Sequence, residues 1–208
     1  MARVFVMVED EAGRQTGRGA SFKGILTYVL RDAGPESWRG TFGLTLPIGD
    51  AAIEMEHTYR DKHLDSNRRG PKAKRPVLHA ILGWHPSDLE WLTREHLAET
   101  VRSALHAMGL NDRQSVWVTH TDTGRPHVHI VANLVHPDTG IVARLGLIKK
   151  RMSAFCAAYE QSLGDIRCKR RMVPKAANEN RNRQARAGRA SVRAPDKQKA
   201  SKSPAPRP

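Results

Sequence analysis

The chain has 208 residues, with 35 Lys and Arg against 21 Asp and Glu, a formal net charge of +14 and a pI near 10.5. That length bounds it to one domain of ordinary size, and that charge predicts an anionic partner, nucleic acid foremost. Two cysteines, Cys156 and Cys168, are too few for a disulfide framework or a zinc finger, which points to a reducing compartment.

The chain opens with a short apolar run, Val4 to Val8, which reads as a β-strand and is too short for a signal peptide or a membrane span. A cytoplasmic protein with no stable membrane insertion is expected. After a Gly/Arg-rich loop, Ser21 to Asp32 places Phe22, Ile25, Leu26, Val29 and Leu30 at helical spacing, with Ser21 able to cap the first turn. Tyr28 falls on this helix, off the apolar Ile25/Val29 line. The stretch from Gly34 to Asp50 is turn-rich and reads as a short strand or irregular chain. Thr58 to Arg75 reads as a polar loop carrying Arg68, Arg69, Lys72, Lys74 and Arg75 around Gly70 and Pro71. Such a cluster is usually a solvated loop, but beside a nucleic-acid site it forms a natural set of phosphate contacts.

Val77 to Pro86 is a strand ended by its proline. Ser87 or Asp88 then caps a helix running to Gly109 through Leu89, Leu92, Leu97, Val101, Leu105 and Met108. Ser115 to Thr121 and His127 to Val135 alternate as two strands, joined through the turn residues Asp122, Gly124 and Pro126. A last helix spans about Leu147 to Leu163 and ends near Gly164. This order predicts an α+β fold: an antiparallel-centred sheet with its helices largely on one face.

The excess charge lies at the end of the chain. Residues 169–208 hold 13 Lys or Arg against Glu179 and Asp196, which leaves 22 basic and 19 acidic residues in 1–168. The tail has almost no large apolar side chains to offset chain entropy and is expected to be disordered. The chain thus divides into a folded domain, 1–168, and a basic tail, 169–208. The tail is either a phosphate-tracking arm or the start of a truncated C-terminal region.

The stretch from Val118 to Pro137 carries the chemistry. Along a strand, residues i and i+2 share a face, so His127, His129, Val131 and Asn133 lie on one side and the apolar Val128, Ile130, Ala132 and Leu134 on the other. A hairpin closing through 121–126 brings His120 opposite His127. Three imidazoles on a rigid sheet, with coordination positions left open, form a divalent-metal site of the catalytic kind. Asp122 stands close enough in sequence to orient one of these rings or to accept a proton. A structural zinc would need a fourth His or Cys, and none is adjacent in the sequence. His57, His63, His79, His85, His96, His106 and His136 lack this convergence; His79 reads as an ordinary strand residue, and His96 and His106 as residues of polar helix flanks.

The run H-T-D-x4-H-V-H-I-V-x-N followed by H-P-D-T-G, from His120 to Gly140, resembles the three-histidine motif of the HUH-type relaxases, in particular the P-type (MOBP, VirD2-like) mobilization nucleases. "LHAILGWHP" resembles the family's strand before its long helix, and "LTYVLRD" its nucleophile helix with Tyr28 in the tyrosine position; together they cover about residues 20 to 165. The resemblance implies a site- and strand-specific DNA nickase acting at an origin of transfer. His120, His127 and His129 would hold Mg2+ or Mn2+, Tyr28 would form a 5′-phosphotyrosyl intermediate, and Asp122 matches the motif's acidic residue. It also implies single-stranded origin DNA, accessory relaxosome proteins and the coupling protein of a type IV secretion system as partners. In the wider superfamily the nucleophile can follow the histidines, which makes Tyr159 the alternative, as in replication initiators and transposases. A basic DNA-binding accessory protein without catalysis would use the charge but not the histidines, and a metallohydrolase of small substrates would use the histidines but not the tail.

Overall fold

The computed structural model describes residues 18–31, 33–34, 36–64, 72–121, 124–166 and 168–169. The strand expected at Val4 to Val8, the residues Arg68, Arg69 and Asp122, and nearly all of the basic tail lie outside them. The described elements are β1 (Arg18–Gly19), α1 (Phe22–Arg31), β2 (Arg39–Phe42), α2 (Ala51–His57) continued by a π-helical stretch (Thr58–Leu64), β3 (Val77–Gly83), α3 (Arg94–Met108), β4 (Ser115–His120), β5 (His127–Asn133) and α4 (Ile148–Ser162). The strands form one antiparallel sheet in the order β1-β3-β5-β4-β2. No helix among the described residues is long and apolar enough to cross a membrane.

The α+β class and the antiparallel centre agree with the sequence pattern. The strand parities divide the sheet into two unlike faces. Leu78, Ala80, Leu82, Val128, Ile130, Ala132 and Trp117 pack under α3 and α4, the two 15-residue helices, through Leu97, Val101, Leu105, Met152 and Cys156. The other face carries Val77, Val116, Val118 and Val131 together with the histidines, and the shorter α1 and α2 cover part of it with Phe22, Leu26, Val29, Ala51 and Met55. The long helices therefore share one face, while the two short ones border the polar end of the other.

The local signals explain most boundaries. Ser21 Oγ accepts from the Gly24 amide at 3.0 Å and caps α1. Gly109, at φ 73°, ends α3. One expected helix is interrupted: Pro86–Asp88 forms a single 3-10 turn in which the His85 amide donates to the Asp88 carboxylate at 3.1 Å, and α3 begins later, capped by Thr93. Ser87 and Asp88 thus belong to a local turn, and the Thr93 hydroxyl accepts from His96 N at 3.1 Å.

Thr58 to Leu64, expected as the beginning of a loop, is helical instead. Its inward side chains are polar and were invisible to a count of apolar positions. Tyr59 packs edge-on to Phe22 and donates its hydroxyl to the Ala73 carbonyl at 2.6 Å. His63 is buried, its Nε2 accepting from Ala73 N at 2.8 Å and its Nδ1 facing the Gly140 carbonyl at 3.1 Å. With Nε2 as acceptor, Nδ1 carries the proton and donates.

Candidate active site

The β4–β5 hairpin sets the site. Its register pairs His120 with His127 and Val118 with His129, so all three imidazoles project from the same face at the same end of the sheet. One ring nitrogen from each of His120, His127 and His129 lies within 4.8 Å of the others, and these three residues form the metal-competent cluster found among the described residues. His120 and His129 are buried and His127 is half-buried.

The outer hydrogen bonds fit a metal site. His120 Nε2 lies 2.8 Å from the Val29 carbonyl, and His127 Nδ1 lies 2.9 Å from the Arg125 carbonyl. A carbonyl only accepts, so both nitrogens are protonated and the ring lone pairs fall on Nδ1 of His120 and Nε2 of His127. Burial first, and then the neighbouring His79, His120 and His127, push the pKa of His129 down to about 3. His79 is pushed down to about 4 by burial and by His120. Both rings are therefore neutral at pH 7, the state in which imidazole binds a cation.

His79 is the site residue that sequence reasoning missed. It sits on β3 opposite Val131, on the histidine face, and its ring meets that of His129 edge to edge, nearly coplanar at 13° with centroids 5.0 Å apart and Nε2 2.8 Å from His129 Nδ1. A polar residue alternating with apolar ones in "VLHAILG" was the available signal, but the face it shares depends on the β3–β5 register.

Of the two tyrosines weighed as nucleophile, the geometry brings one to the histidines. Tyr28, 46% exposed on α1, has its ring centroid 6.1 Å from that of His129 at an interplanar angle of 81°. The next residue, Val29, is buried and supplies the carbonyl that holds His120, which couples the tyrosine's helix to the site. Tyr159 lies on α4, against the opposite face of the sheet. Its hydroxyl accepts from Trp84 Nε1 at 2.9 Å and meets His96 Nε2 at 2.7 Å, and burial pushes its pKa up. His96 is accordingly turned toward Tyr159 and is not a residue of a polar flank, whereas His106 is exposed as expected.

Of the basic cluster, Lys72, Lys74 and Arg75 lie among the described residues. Lys72 donates to the His63 carbonyl, and Lys74 and Arg75 are exposed just before β3. β3 runs from Val77, paired with Asn133, to Gly83, paired with His127. Arg75 is six residues from Ile81, the partner of His129, about 20 Å of extended chain. These side chains are not beside the histidines. The motif's distal residues are structural: Asn133, fully buried, donates to the Met55 carbonyl at 3.2 Å and accepts from Val135 N at 3.0 Å. In the His-Pro-Asp-Thr-Gly turn, His136 Nδ1 accepts from Asp138 N at 3.0 Å.

Comparison with known proteins agrees with this geometry. The family model described as "Relaxase: MobA/VirD2-like, nuclease domain" matches residues 38–164, more than half of the chain. The Protein MobA of Acidithiobacillus ferrooxidans is 30% identical over 74 residues, which cover 36% of this chain and 18% of that protein. The chain thus aligns with less than a fifth of the length of this relative. Within residues 38–164 lie all three histidines of the cluster and the strands that present them, and the chain belongs to the MobA/VirD2-like relaxase family as the bearer of its nuclease domain.

Proposed function

We propose that the chain nicks one strand of DNA at a plasmid origin of transfer by transesterification, with Tyr28 as nucleophile. The observation that carries this reading is the approach of the exposed Tyr28 ring to His129, on a helix whose Val29 carbonyl anchors His120. The Tyr28 oxygen attacks the scissile phosphorus, the bond from phosphorus to the 3′ oxygen breaks, and that oxygen leaves as a hydroxyl after taking up a proton. A 5′-phosphotyrosyl bond then conserves the energy of the broken one, so that rejoining needs no further input.

In this reading His120, His127 and His129 hold Mg2+ or Mn2+, with Mn2+ the better match to imidazole ligands. When bound, the ion polarises the scissile phosphate and stabilises charge developing on its oxygens. The chain's own part is to hold three imidazole rings in fixed orientations through their outer hydrogen bonds and to present the tyrosine beside them. Asp122 belongs to the proposal as the group that orients a histidine or takes the phenolic proton.

Arg68, Arg69, Lys72, Lys74 and Arg75 are proposed as contacts to DNA phosphates away from the cut, and the basic tail, 169–208, as an arm that tracks the backbone. Single-stranded origin DNA, accessory relaxosome proteins and the coupling protein of a type IV secretion system are the proposed partners, in the cytoplasm. The test is a nicking assay on end-labelled single-stranded origin DNA with Mn2+. Wild type and Tyr159→Phe are expected to cut; Tyr28→Phe is expected not to. Cutting by Tyr28→Phe at the wild-type rate contradicts the assignment.

A further inference from the structure

We infer that His79 is a positioning residue: its Nε2 accepts the Nδ1 proton of His129, which fixes the tautomer of that ring and turns the Nε2 lone pair of His129 toward the cation. The inference rests on the metal-site reading above and extends it by one residue that the three-histidine motif does not contain.

The three cluster histidines differ in what holds their outer nitrogen. His120 and His127 face carbonyls, which accept only, so their tautomers are dictated by backbone. His129 faces another imidazole, which can either donate or accept. Two arrangements satisfy the 2.8 Å contact. In one, His79 Nε2 carries the proton, His129 Nδ1 accepts it, and His129 Nε2 is itself protonated and unable to bind a cation. In the other, His129 Nδ1 donates, its Nε2 lone pair faces His120 and His127, and His79 carries its proton on Nδ1. Ligation by His129 Nε2 requires the second.

The geometry around His79 restricts it to this task. It is only 7% exposed, meets His129 edge to edge in nearly one plane and belongs to the central part of β3, paired with Val131, so it has little freedom to swing. It does not belong to the group of ring nitrogens lying within 4.8 Å of one another, so it acts on the cation through His129 and not as a fourth ligand. Partners of this outer kind set ring orientation and ligand basicity, and their loss typically lowers metal affinity about 10- to 100-fold.

The experiment titrates Mn2+ into the full chain by calorimetry for wild type, His79→Phe, His79→Gln and His129→Ala, and records imidazole nitrogen NMR spectra of the metal-free proteins. Circular dichroism and thermal melts establish that each variant is folded. Phe keeps an aromatic ring beside His129 but cannot accept; Gln can accept through Oε1. The expected result is a loss of about 10- to 100-fold in Mn2+ affinity for His79→Phe, recovery of most of it in His79→Gln, and a shift of His129 from the Nδ1–H toward the Nε2–H tautomer in the Phe variant alone. Should His79→Phe not fold, the Gln variant still decides, because retention of affinity and tautomer is expected there. Wild-type affinity and an unchanged tautomer in His79→Phe, with binding abolished in His129→Ala, overturn the inference and leave the metal site intact. Equal losses in folded Phe and Gln variants also overturn it, since packing and not acceptance then matters. Failure of wild type to bind Mn2+ removes the metal reading itself, and the inference with it.

Discussion

The Val29 carbonyl accepts a hydrogen bond from His120 Nε2 at 2.8 Å, which ties the helix bearing Tyr28 to the hairpin bearing the histidines across 91 positions of sequence. The bond does two things at once. It leaves the His120 lone pair on Nδ1, and it sets the depth at which α1 lies over the sheet. Around it, Phe22, Leu26 and Val29 bury the helix's inner face against Val77, Val118 and Val131, while Tyr28 lies at the flank of that face, half exposed, with its ring near His129.

Loosening that helix is expected to impair the site without touching it. Leu26 is 2% exposed in the contact between α1 and the sheet, and Leu26→Ala leaves a cavity. The expected destabilisation is about 2–5 kcal/mol, measured by urea unfolding. Nicking by the fraction that remains folded is expected to fall as well, because Tyr28 and the Val29 carbonyl move with the helix.

Metal binding to the folded state alone stabilises it by mass action. Mn2+ at a hundred times its dissociation constant is expected to add about 2.7 kcal/mol, or a rise in Tm of roughly 5–10 °C for a chain of this size. The rise is expected to vanish with EDTA and to be absent in His127→Ala. A wild-type Tm indifferent to Mn2+ contradicts the ligand assignment.

The buried imidazoles also predict a sign for acid stability. His79 and His129 have folded pKa values of about 4 and about 3, below the ordinary value of 6.5, because burial penalises the charged form. Between these values the unfolded chain binds more protons, so the contribution of both groups is full above about pH 6.5 and is lost as pH falls toward 4 and then 3. Urea unfolding in EDTA from pH 7 to 4.5 is expected to show this fall. In His79→Phe the slope is expected to be shallower, one of the two groups having been removed.

Much of this arrangement was legible beforehand. The alternation of Val128, Ile130, Ala132 and Leu134 against His127, His129, Val131 and Asn133 fixes which face each takes, and the hairpin register His120 to His127 follows from the length of the turn. What could not be read depends on contacts distant in sequence. His79 looks like any strand residue until β3 is paired with β5. Tyr59 and His63 interrupt an apolar count although both turn inward, held by Ala73 and Gly140. Lys74 and Arg75 stand out by charge, but their place at the Val77 end of β3, away from Gly83 and His127, follows only from the pairing of Val77 with Asn133.

The terminal part of the His-Pro-Asp-Thr-Gly turn is expected to matter for folding rather than chemistry. Gly140 has φ 65°, and a Cβ there would run into the Lys62 carbonyl. Gly140→Ala is expected to cost more than about 1 kcal/mol, with Mn2+ affinity of the folded protein unchanged. Loss of Mn2+ binding in a folded Gly140→Ala protein would assign the turn to the site.

Tyr159 is expected to behave as a structural residue. Tyr159→Phe orphans the Trp84 indole N–H and leaves His96 Nε2 only the longer contact to the Thr100 hydroxyl at 3.4 Å, at an expected cost of about 1–3 kcal/mol. Equilibrium unfolding measures that loss, and Mn2+ affinity is expected to stay at the wild-type level.

Tyr28 is tested as the nucleophile by isolating the covalent complex formed on single-stranded origin DNA, digesting both components, and identifying the modified peptide by mass spectrometry. The expected product is a nucleotide joined through its 5′ phosphate to the Tyr28 oxygen, in a peptide that spans Phe22 to Arg31 in part or whole. A nucleotide carried on Tyr159, or a cut strand with no protein attached, would contradict it.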